Sequence, residues 1–343
     1  MRSYIIRRIL LMFPTLIGIT VITFLVTQFV PGGPIDQLRS RAFVQTEGGS
    51  QAPGGGLKSM DNQLSEEDLK VMVAFYGFDK PWYVQYGRWL LRLARFDLGE
   101  SFRYFTPVSE LIVSKLPVSI YYGLISFILV YFVCVPLGVL KAIRHKSIFD
   151  NLTSVLIFAG YATPGFALGT LLLVFVASHM DLFPLGGFVS DDFEFLPTFW
   201  AKVWDVVHHS ILPLISYAVG YFASMTILMK NSVMENMSSD FVRTALAKGS
   251  SYHRAIFTHA LRNSLIPLAT SFGNNISLFL MGSFLIEKIF NIDGMGLLGY
   301  TSIVERDYPV VLGILVIGAI LTLVGNLLSD LCVAAADPRV RFS

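Results

Sequence analysis

The residues that could do chemistry in this chain form none of the common catalytic or metal-binding patterns. The six histidines include no His-Glu-x-x-His pair, and the sequence holds no Gly-x-Ser-x-Gly nucleophile elbow and no Walker A loop for ATP. The two cysteines, Cys134 and Cys332, both lie inside apolar runs. This position favours buried hydrophobic side chains over a disulfide or a metal site. The sequence therefore predicts no catalytic residue, no metal and no cofactor, and we do not expect an enzyme.

Neutral polar residues interrupt the apolar stretches of the sequence. Ion-coupled transporters keep ionisable residues inside their spans at a cost of about 2.5–3.5 kcal/mol each. The apolar stretches here contain essentially none, but Asn274 and Asn275 are adjacent in one stretch and Tyr161 lies in another. These three are candidates for lining a polar pathway, and hydrogen bonds between helices would explain the two asparagines as well.

The most informative stretch covers residues 238–263, between two apolar segments. Ser239 or Asp240 can cap a first helix, and Gly249 can take the left-handed conformation that ends it. Ser250 or Ser251 can cap a second helix that runs to the end of the stretch. The sequence therefore predicts two helices joined by a glycine corner.

The outer faces of these two helices are expected to mix small, apolar and cationic side chains. That mixture suits a projection that docks in a groove of a partner protein. The alternative is a surface connection whose apolar side packs on its own bundle. The side chains concerned are Ala245, Ala247 and Gly249, the apolar Phe241, Leu246, Ile256 and Phe257, and the cations Arg243, Lys248 and Arg254.

The elements that must position these residues are long apolar helices. The chain is 54% hydrophobic and only 15% charged, with a mean hydropathy of +0.61, whereas a soluble domain is usually about 25% charged. A bilayer core about 30 Å thick requires about 20 apolar residues in a helix. Six such stretches predict an all-α membrane protein: Ile9–Val30, Pro117–Leu140, Leu152–Ser178, Ser210–Met229, Leu265–Ile286 and Val310–Leu328.

The distribution of lysine and arginine predicts that both termini face the cytoplasm. Thirteen of these cations lie at the termini and in the second and fourth connections, against three in the short loops on the other side. Short cytoplasmic loops carry an excess of basic residues, which gives this orientation. The remaining ten lie in residues 31–116, a segment long enough to cross the membrane largely regardless of its charge.

Four regions follow from these patterns. Residues 1–30 form a cytoplasmic N-terminus and the first transmembrane helix, and residues 31–116 form a periplasmic insertion. Within this insertion, residues 39–62 are rich in Gly, Ser and Gln and are expected to be flexible. Residues 64–116 are expected to be helical, with an aromatic packing face between Pro81 and Phe96. Residues 117–335 hold five further transmembrane helices, and 336–343 form a cytoplasmic tail.

Over almost its whole length the sequence resembles the permease subunits of bacterial ABC importers, specifically the dipeptide/oligopeptide class (DppB/OppB family). The stretch Arg243–Gly249, followed by His259–Pro267, is similar to the form that this class gives to the EAA coupling motif. Other similar segments are Pro31–Pro34, Tyr76–Pro81, Phe96–Ser101, Leu116–Ser119, Arg306–Val311 and Asp337–Arg341.

Two departures from the general EAA pattern narrow the resemblance. Arg243-Thr244-Ala245 stands in place of Glu-Ala-Ala, and Arg262 stands in place of the closing proline. Both look like the variant of the peptide class. The Gly-rich insert after Pro34 and the phrase Asp181–Gly187 look most like the Yej branch of oligopeptide permeases.

The resemblance implies a type I ABC importer permease fold and half of a translocation pathway for peptides across the inner membrane. It further implies a second, different permease subunit, two ATP-binding cassette ATPases, a periplasmic substrate-binding protein and contact with membrane lipid. Residues 238–263 would then be the coupling segment that docks on an ATPase. The residues carried over for this role are Arg243, Thr244, Ala245, Ala247, Lys248, Gly249, His259 and Arg262.

Three other classes of function make different demands on the sequence. A secondary transporter or channel would need an ionisable relay or a pocket built from internal repeats. A membrane anchor of a complex would need no path through its spans. A DNA regulator would need a third stabilising helix beside the helix–glycine–helix, and the net charge of +2 offers no basic field for nucleic acid. The sequence does not specify the cargo.

Overall fold

The computed structural model describes residues 2–29 and 80–336, apart from the side chains of residues 2, 28, 29, 274, 278 and 279. The expectations for residues 39–62, for the beginning of the helical insertion at 64–79 and for the tail lie outside the described residues.

The described residues are mostly helical and contain no β-strand beyond one isolated bridge between Glu100 and Pro107. Two π-helices, Leu173–His179 and Ala255–Ala260, and one short 3-10 helix, Phe193–Phe195, join the α-helices. In chain order the α-helices are α1 (Arg2–Phe29), α2 (Trp82–Leu93), α3 (Val108–Ile143), α4 (Ile148–Ala162), α5 (Gly165–Leu172), α6 (Phe199–Met237), α7 (Asp240–Ala247), α8 (Tyr252–Arg254), α9 (Leu261–Ser264), α10 (Ile266–Leu280), α11 (Phe284–Ile289), α12 (Met295–Val304) and α13 (Tyr308–Ala336).

Four of these helices are long and apolar enough to cross a membrane: α1, α3, α6 and α13. The helices α3, α6 and α13 contain the second, fourth and sixth predicted spans and extend past them, and α1 covers the first predicted span up to Phe29. The helix α6, with 39 residues, is about 58 Å long at 1.5 Å per residue, which exceeds a bilayer core of about 30 Å. The fifth predicted span, Leu265–Ile286, contains α10, which has only 15 residues.

The third predicted span, Leu152–Ser178, is split in the structure. The helix α4 ends at Ala162, and the helical stretch Gly165–His179 continues at an angle of 97° to it. The break follows from the sequence Thr163-Pro164, because a residue before proline is disfavoured in the helical conformation. Thr163 accordingly has an extended backbone, with φ −94° and ψ 117°.

The chain divides into two compact units. The first contains Met1–Phe13, Ile112–Tyr300 and Ile317–Ser343, and the second contains Pro14–Leu111 and Thr301–Val316. In the second unit, Trp89 of α2 is buried, and its ring centroid lies 5.9 Å from that of Phe24. The aromatic residues of α2 thus form the packing face that their helical spacing predicts, together with Leu312 and Val316.

In the first unit, α6 packs against both arms of the bent pair, α4 and α5, and its buried residues belong to three apolar clusters with other helices. One cluster surrounds Tyr217 and includes Tyr122 of α3 and Phe290. A second contains Met225 and residues of α3. A third begins twelve residues beyond Tyr217 and combines Met229 and Val233 with α3 and α10. The helix α6 leads directly into the segment 238–263.

Candidate functional site

The segment 238–263 contains the glycine corner that its sequence predicts. The helix α7 ends with Gly249 at φ +86°, a left-handed conformation that glycine adopts without steric cost. The backbone N–H of Gly249 donates to the carbonyl of Leu246 at 2.9 Å, and that of Ser250 donates to the carbonyl of Ala245 at 3.1 Å. These two bonds are the Schellman pattern that satisfies the last carbonyls of a helix.

The second predicted helix is also present, with an irregular middle. Ser251 occupies the N-cap position, and its hydroxyl accepts a hydrogen bond from the backbone N–H of Arg254. A π-helix, Ala255–Ala260, follows α8 and is continued by α9. Helical structure therefore covers the predicted range, while the π-turn at Ala255–Ala260 had no sequence pattern from which we could expect it.

One face of the segment packs on its own bundle. Val242, Ala255 and Ala260 are buried together, with Met237 and Ala245 packed against them. Ile256 is also fully buried, so the prediction that placed it on the outer face is wrong. Ile256 lies four residues before Ala260, one helical turn away, and therefore shares the inward face.

The opposite face is open to solvent. Phe241, Leu246, Tyr252 and Phe257 are exposed to between 37% and 54% of their full surface, so the segment presents four large apolar or aromatic side chains to solvent. Ala245, which the sequence placed on the outer face, is half-buried and packs against the inward cluster, so this placement is wrong as well. The other residues carried over from the importer resemblance are all exposed: Arg243, Thr244, Ala247, Lys248, Gly249, His259 and Arg262.

The structure places the three candidate pathway residues in different surroundings. Asn275 is buried, and its amide Nδ2 donates to the hydroxyl of Tyr131 at 3.1 Å, which is the hydrogen bond between helices that was the alternative. Tyr161 is 61% exposed on α4. The side chain of Asn274 lies outside the described residues.

A buried ionic cluster near the end of α6 escaped the sequence analysis. Asp150, at the start of α4, is 3% exposed, and both of its carboxylate oxygens lie 2.8 Å from Nζ of Lys230 on α6. Nζ of Lys141, at the end of α3, lies 3.0 Å from Oδ1 of Asp150. Nδ1 of His145 lies 3.4 Å from Oδ2. We call these four residues the Asp150 cluster.

The cluster also satisfies its remaining polar groups. Nζ of Lys141 donates to the backbone carbonyl of Asp150 at 2.8 Å and to the hydroxyls of Thr153 and Ser154 at 2.7 and 2.8 Å. The backbone N–H of Lys146 donates to Asp150 Oδ2 at 3.1 Å. Buried charges persist when they are paired and hydrogen-bonded in this way. The sequence pattern that could have indicated this cluster is a single acid, Asp150, close to several basic residues in the connection between α3 and α4.

A second buried acid lies in α11, which follows α10 in the sequence. This short helix is not one of the helices that are long enough to cross a membrane. Glu287 of α11 is 1% exposed, and its Oε1 accepts a hydrogen bond from the hydroxyl of Tyr217 at 3.2 Å. Its Oε2 accepts from the backbone N–H of Leu297 at 2.6 Å. The Tyr217 hydroxyl in turn accepts a hydrogen bond from the backbone N–H of Ser283 at 3.0 Å. Glu287 and Tyr217 therefore connect the residues between α10 and α12 to α6.

Two glycines leave room for the Glu287 carboxyl. A Cβ on Gly282 would approach Oε1 to 2.3 Å, and a Cβ on Gly294 would approach Cδ to 2.7 Å. Among the described residues, no Lys, Arg or His forms an ion pair with Glu287. Burial raises the pKa of Glu287 to about 7, against the hydrogen bonds from Leu297 and Tyr217, which lower it.

Two segments that carried the importer resemblance meet in the second unit. Asp307, in the segment Arg306–Val311, is 2% exposed and accepts hydrogen bonds from the Ser101 hydroxyl and, at 3.1 Å, from the backbone N–H of Phe102. The segment Phe96–Ser101 is therefore held by a residue about 200 positions further along the chain.

Comparisons with known proteins agree with the fold and the sequence patterns. The family described as "Binding-protein-dependent transport system inner membrane component" matches residues 134–342. The permease YejB of a peptidoglycan transport system of Agrobacterium fabrum is 41% identical over all of this chain and 99% of its own length. The permease AppB of an oligopeptide transport system of Bacillus subtilis is 36% identical over the whole of both chains.

A solved structure shows the same fold. The inward-facing MetNI methionine ABC transporter aligns with a TM-score of 0.50 at 16% identity, over 67% of this chain and 97% of that chain. The family match covers more than half of the present chain, and the apolar helices α1, α3, α6 and α13 agree with several membrane crossings. The chain therefore belongs to the family of binding-protein-dependent transport system inner membrane components and is a multi-pass protein of the inner membrane.

Proposed function

We propose that this chain is a permease subunit of an ATP-binding cassette importer and forms half of the pathway for peptides or peptide-like compounds. The observation that carries the proposal is the two-faced segment 238–263. Its inner face packs on the bundle, and its outer face presents apolar and cationic side chains to solvent. The oligopeptide and peptidoglycan transport systems of its relatives support this cargo class.

The energy for transport comes from separate ATPase subunits in this proposal, since the chain has no Walker A loop and binds no ATP through one. The outer face of 238–263 docks in a groove of the ATPase. Closure of two ATPases on ATP moves the docked segments together, and rigid-body motion of the helices opens the pathway alternately to either side. The differential contacts at this docking site supply the free energy that shifts the conformational equilibrium.

The complex in this proposal contains a second, different permease chain and a periplasmic substrate-binding protein. The chain crosses the membrane six times with both termini in the cytoplasm. The bent pair α4–α5 is the third crossing, and Leu265–Ile286, which contains α10, is the fifth. Residues 31–116 are periplasmic, and their helical part at 64–116 receives the substrate-binding protein. The aromatic face of α2, buried on Phe24, supports a folded outer region there.

Two substitutions at one position test the docking role. A Cβ at Gly249 would meet no atom within 4 Å, so an alanine there suffers the backbone strain of φ +86°, about 1–2 kcal/mol, without a clash of its Cβ. Gly249→Ala and Gly249→Trp carry the same strain and differ in bulk. We expect Trp to abolish co-purification of the ATPases and transport, and Ala to keep most of both.

The measurement is a mild-detergent pull-down of the tagged chain from its own host, with mass spectrometry of the bound proteins and uptake of labelled oligopeptide and muropeptide. Recovery of Walker A ATPases and a second permease with the wild type, and their loss with Gly249→Trp, is the expected result. Equal recovery with Gly249→Trp would refute the docking site, and recovery of the wild-type chain alone would refute the importer. Uptake of neither compound would refute the cargo class.

A further inference from the structure

We propose that the contact between Asp150 and Lys230 positions the coupling segment, so that it moves with the α3–α4 connection rather than independently. This inference rests on the proposed function, because it assigns a role in transmitting motion from a docked ATPase. It goes further in naming a buried ion pair, outside the docking surface, as the group that determines where this surface sits.

The geometry of the contact is specific. Both carboxylate oxygens of Asp150 lie 2.8 Å from Nζ of Lys230, with the Asp150 side chain 4% and the Lys230 side chain 14% exposed. Lys230 lies ten residues before Asp240, the first residue of α7. Only about two helical turns of α6, roughly 10 Å, separate it from Met237 at the end of this helix.

Other contacts hold the end of α6 in place. Met229 and Val233 are fully buried against Val139 and Ala142 of α3. The hydroxyl of Ser264, in α9, donates to the backbone carbonyl of Ser232 at 3.1 Å. The end of α6 and the coupling segment are therefore joined by the chain connection at Met237 and by the packing of Leu261 against the cluster of Met229 and Val233, while the hydrogen bond to Ser232 holds Ser264, the residue that follows the segment.

Lys141 makes a different set of contacts and provides a matched control. Its ammonium bonds Asp150, Thr153 and Ser154, all in the first turns of α4, and it lies on α3. Lys141 therefore joins the end of α3 to the start of α4. Lys230 is the member of the cluster that lies on α6. Removal of either lysine leaves Asp150 paired with the other, which avoids an unpaired buried carboxylate.

The difference between the two lysines separates positioning from general stability. A buried ion pair contributes little net stability compared with apolar side chains of similar volume, and a methionine of similar length preserves the packing of the lysine stem. If the cluster only stabilised the bundle, Lys141→Met and Lys230→Met would have similar effects. If it positions the coupling segment, only the contact to α6 affects this segment.

The first test uses the full chain in lipid nanodiscs and measures backbone hydrogen exchange. We expect Lys230→Met to speed exchange in residues 240–264 by roughly tenfold, and Lys141→Met to leave exchange in these residues within about twofold of the wild type. Lys230→Arg keeps a cation that can bond both oxygens and should restore the wild-type rate. The inference would be overturned if both methionine variants accelerated exchange in residues 240–264 equally, or if neither variant accelerated it.

The second test uses the complete reconstituted complex and measures transport and ATP hydrolysis in the same vesicles. Lys230→Met should lower the amount transported per ATP at least about fivefold while ATP hydrolysis continues, and Lys141→Met should leave this ratio unchanged. An unchanged ratio in both would refute the coupling role. A wild-type complex without ATP-dependent uptake refutes the proposed function, and the exchange experiment on the chain alone still decides whether Lys230 positions the segment.

Discussion

Asp150 and Glu287, two of the three acids that are buried among the described residues, are satisfied in opposite ways. Asp150 has two ammonium groups within 3.0 Å, Lys141 and Lys230, and lies in a connection rich in basic residues. Glu287 has a tyrosine hydroxyl and a backbone N–H, and two glycines make room for it. Both acids fasten other elements to α6, one through Lys230 and the other through Tyr217.

The difference shows how an apolar bundle keeps an acid buried. Where cations are close, the carboxylate stays charged and its removal leaves the cations unpaired. At Glu287 only neutral donors are close, and burial raises the pKa of this carboxyl to about 7, so it takes up a proton near neutral pH. The same side-chain chemistry therefore gives a permanent ion pair in one place and a group sensitive to pH in the other.

The largest expected effect comes from removing the charge of Asp150. Asp150→Asn leaves Lys141, which is 1% exposed, and Lys230 without a counter-charge. We expect a loss of about 3–5 kcal/mol in the free energy of unfolding and little folded protein. Thermal unfolding of the detergent-purified chain measures this, with the exposed Asp191→Asn as control. A wild-type melting temperature for Asp150→Asn would show that the comparison is mistaken.

The next effect comes from filling the space around Glu287. Gly282 has φ +75°, and a Cβ there would approach Oε1 of Glu287 to 2.3 Å. Gly282→Ala should therefore cost about 2–4 kcal/mol through overpacking and backbone strain. Gly220→Ala, on α6 with nothing within 4 Å of its Cβ, is the matched control and should be neutral or stabilising. Similar melting temperatures for the two variants would contradict the assigned packing.

The pH dependence distinguishes the two acids directly. Because the folded-state pKa of Glu287 is about 7 and its ordinary value is 4.5, the folded chain holds a proton that the unfolded chain releases between these values. Stability should therefore fall as pH rises through this window, by about 2–3 kcal/mol from this group. Melting temperatures at pH 5 and pH 8 measure the effect.

Glu287→Gln should remove this part of the pH dependence, since its amide resembles the protonated acid in shape and carries no charge. Glu235→Gln, at an exposed acid on α6, should keep the wild-type dependence. If the Glu287→Gln variant lost stability with pH as steeply as the wild type, Glu287 would not be the titrating group.

The smallest expected effect concerns the hydroxyl that joins Glu287 to α6. Tyr217→Phe removes the donor to Oε1 and the acceptor for the backbone N–H of Ser283, which should cost about 1–2 kcal/mol. The exposed Tyr161→Phe is the control. A double-mutant cycle with Glu287→Gln should show coupling of about 0.5 kcal/mol or more, and strict additivity would mean that the two side chains do not interact.

The sequence was sufficient for the elements whose pattern is local. The apolar stretches predicted α1, α3, α6 and α13, and Gly249 predicted the end of α7, because helix length, hydrophobicity and capping depend on neighbouring residues. The aromatic spacing of α2 likewise predicted its packing face. The resemblance to peptide importer permeases, which covers most of the chain, predicted the family that the comparisons then showed.

The tertiary structure decided what depends on contacts between distant residues. Ile256 is buried because other residues of the fold cover its side of the helix. The sequence Thr163-Pro164 explains why α4 ends, but it does not specify the angle of 97° between α4 and the helical stretch that follows. Asp150 and Lys230 are 80 residues apart, and Glu287 and Tyr217 are 70 apart. No local pattern brings such pairs together, because only the packing of whole helices sets the distance between their side chains. The sequence by itself determined the class of protein and led to the proposed docking segment, and the packing decided which buried charges lie beside the end of α6 that leads into this segment.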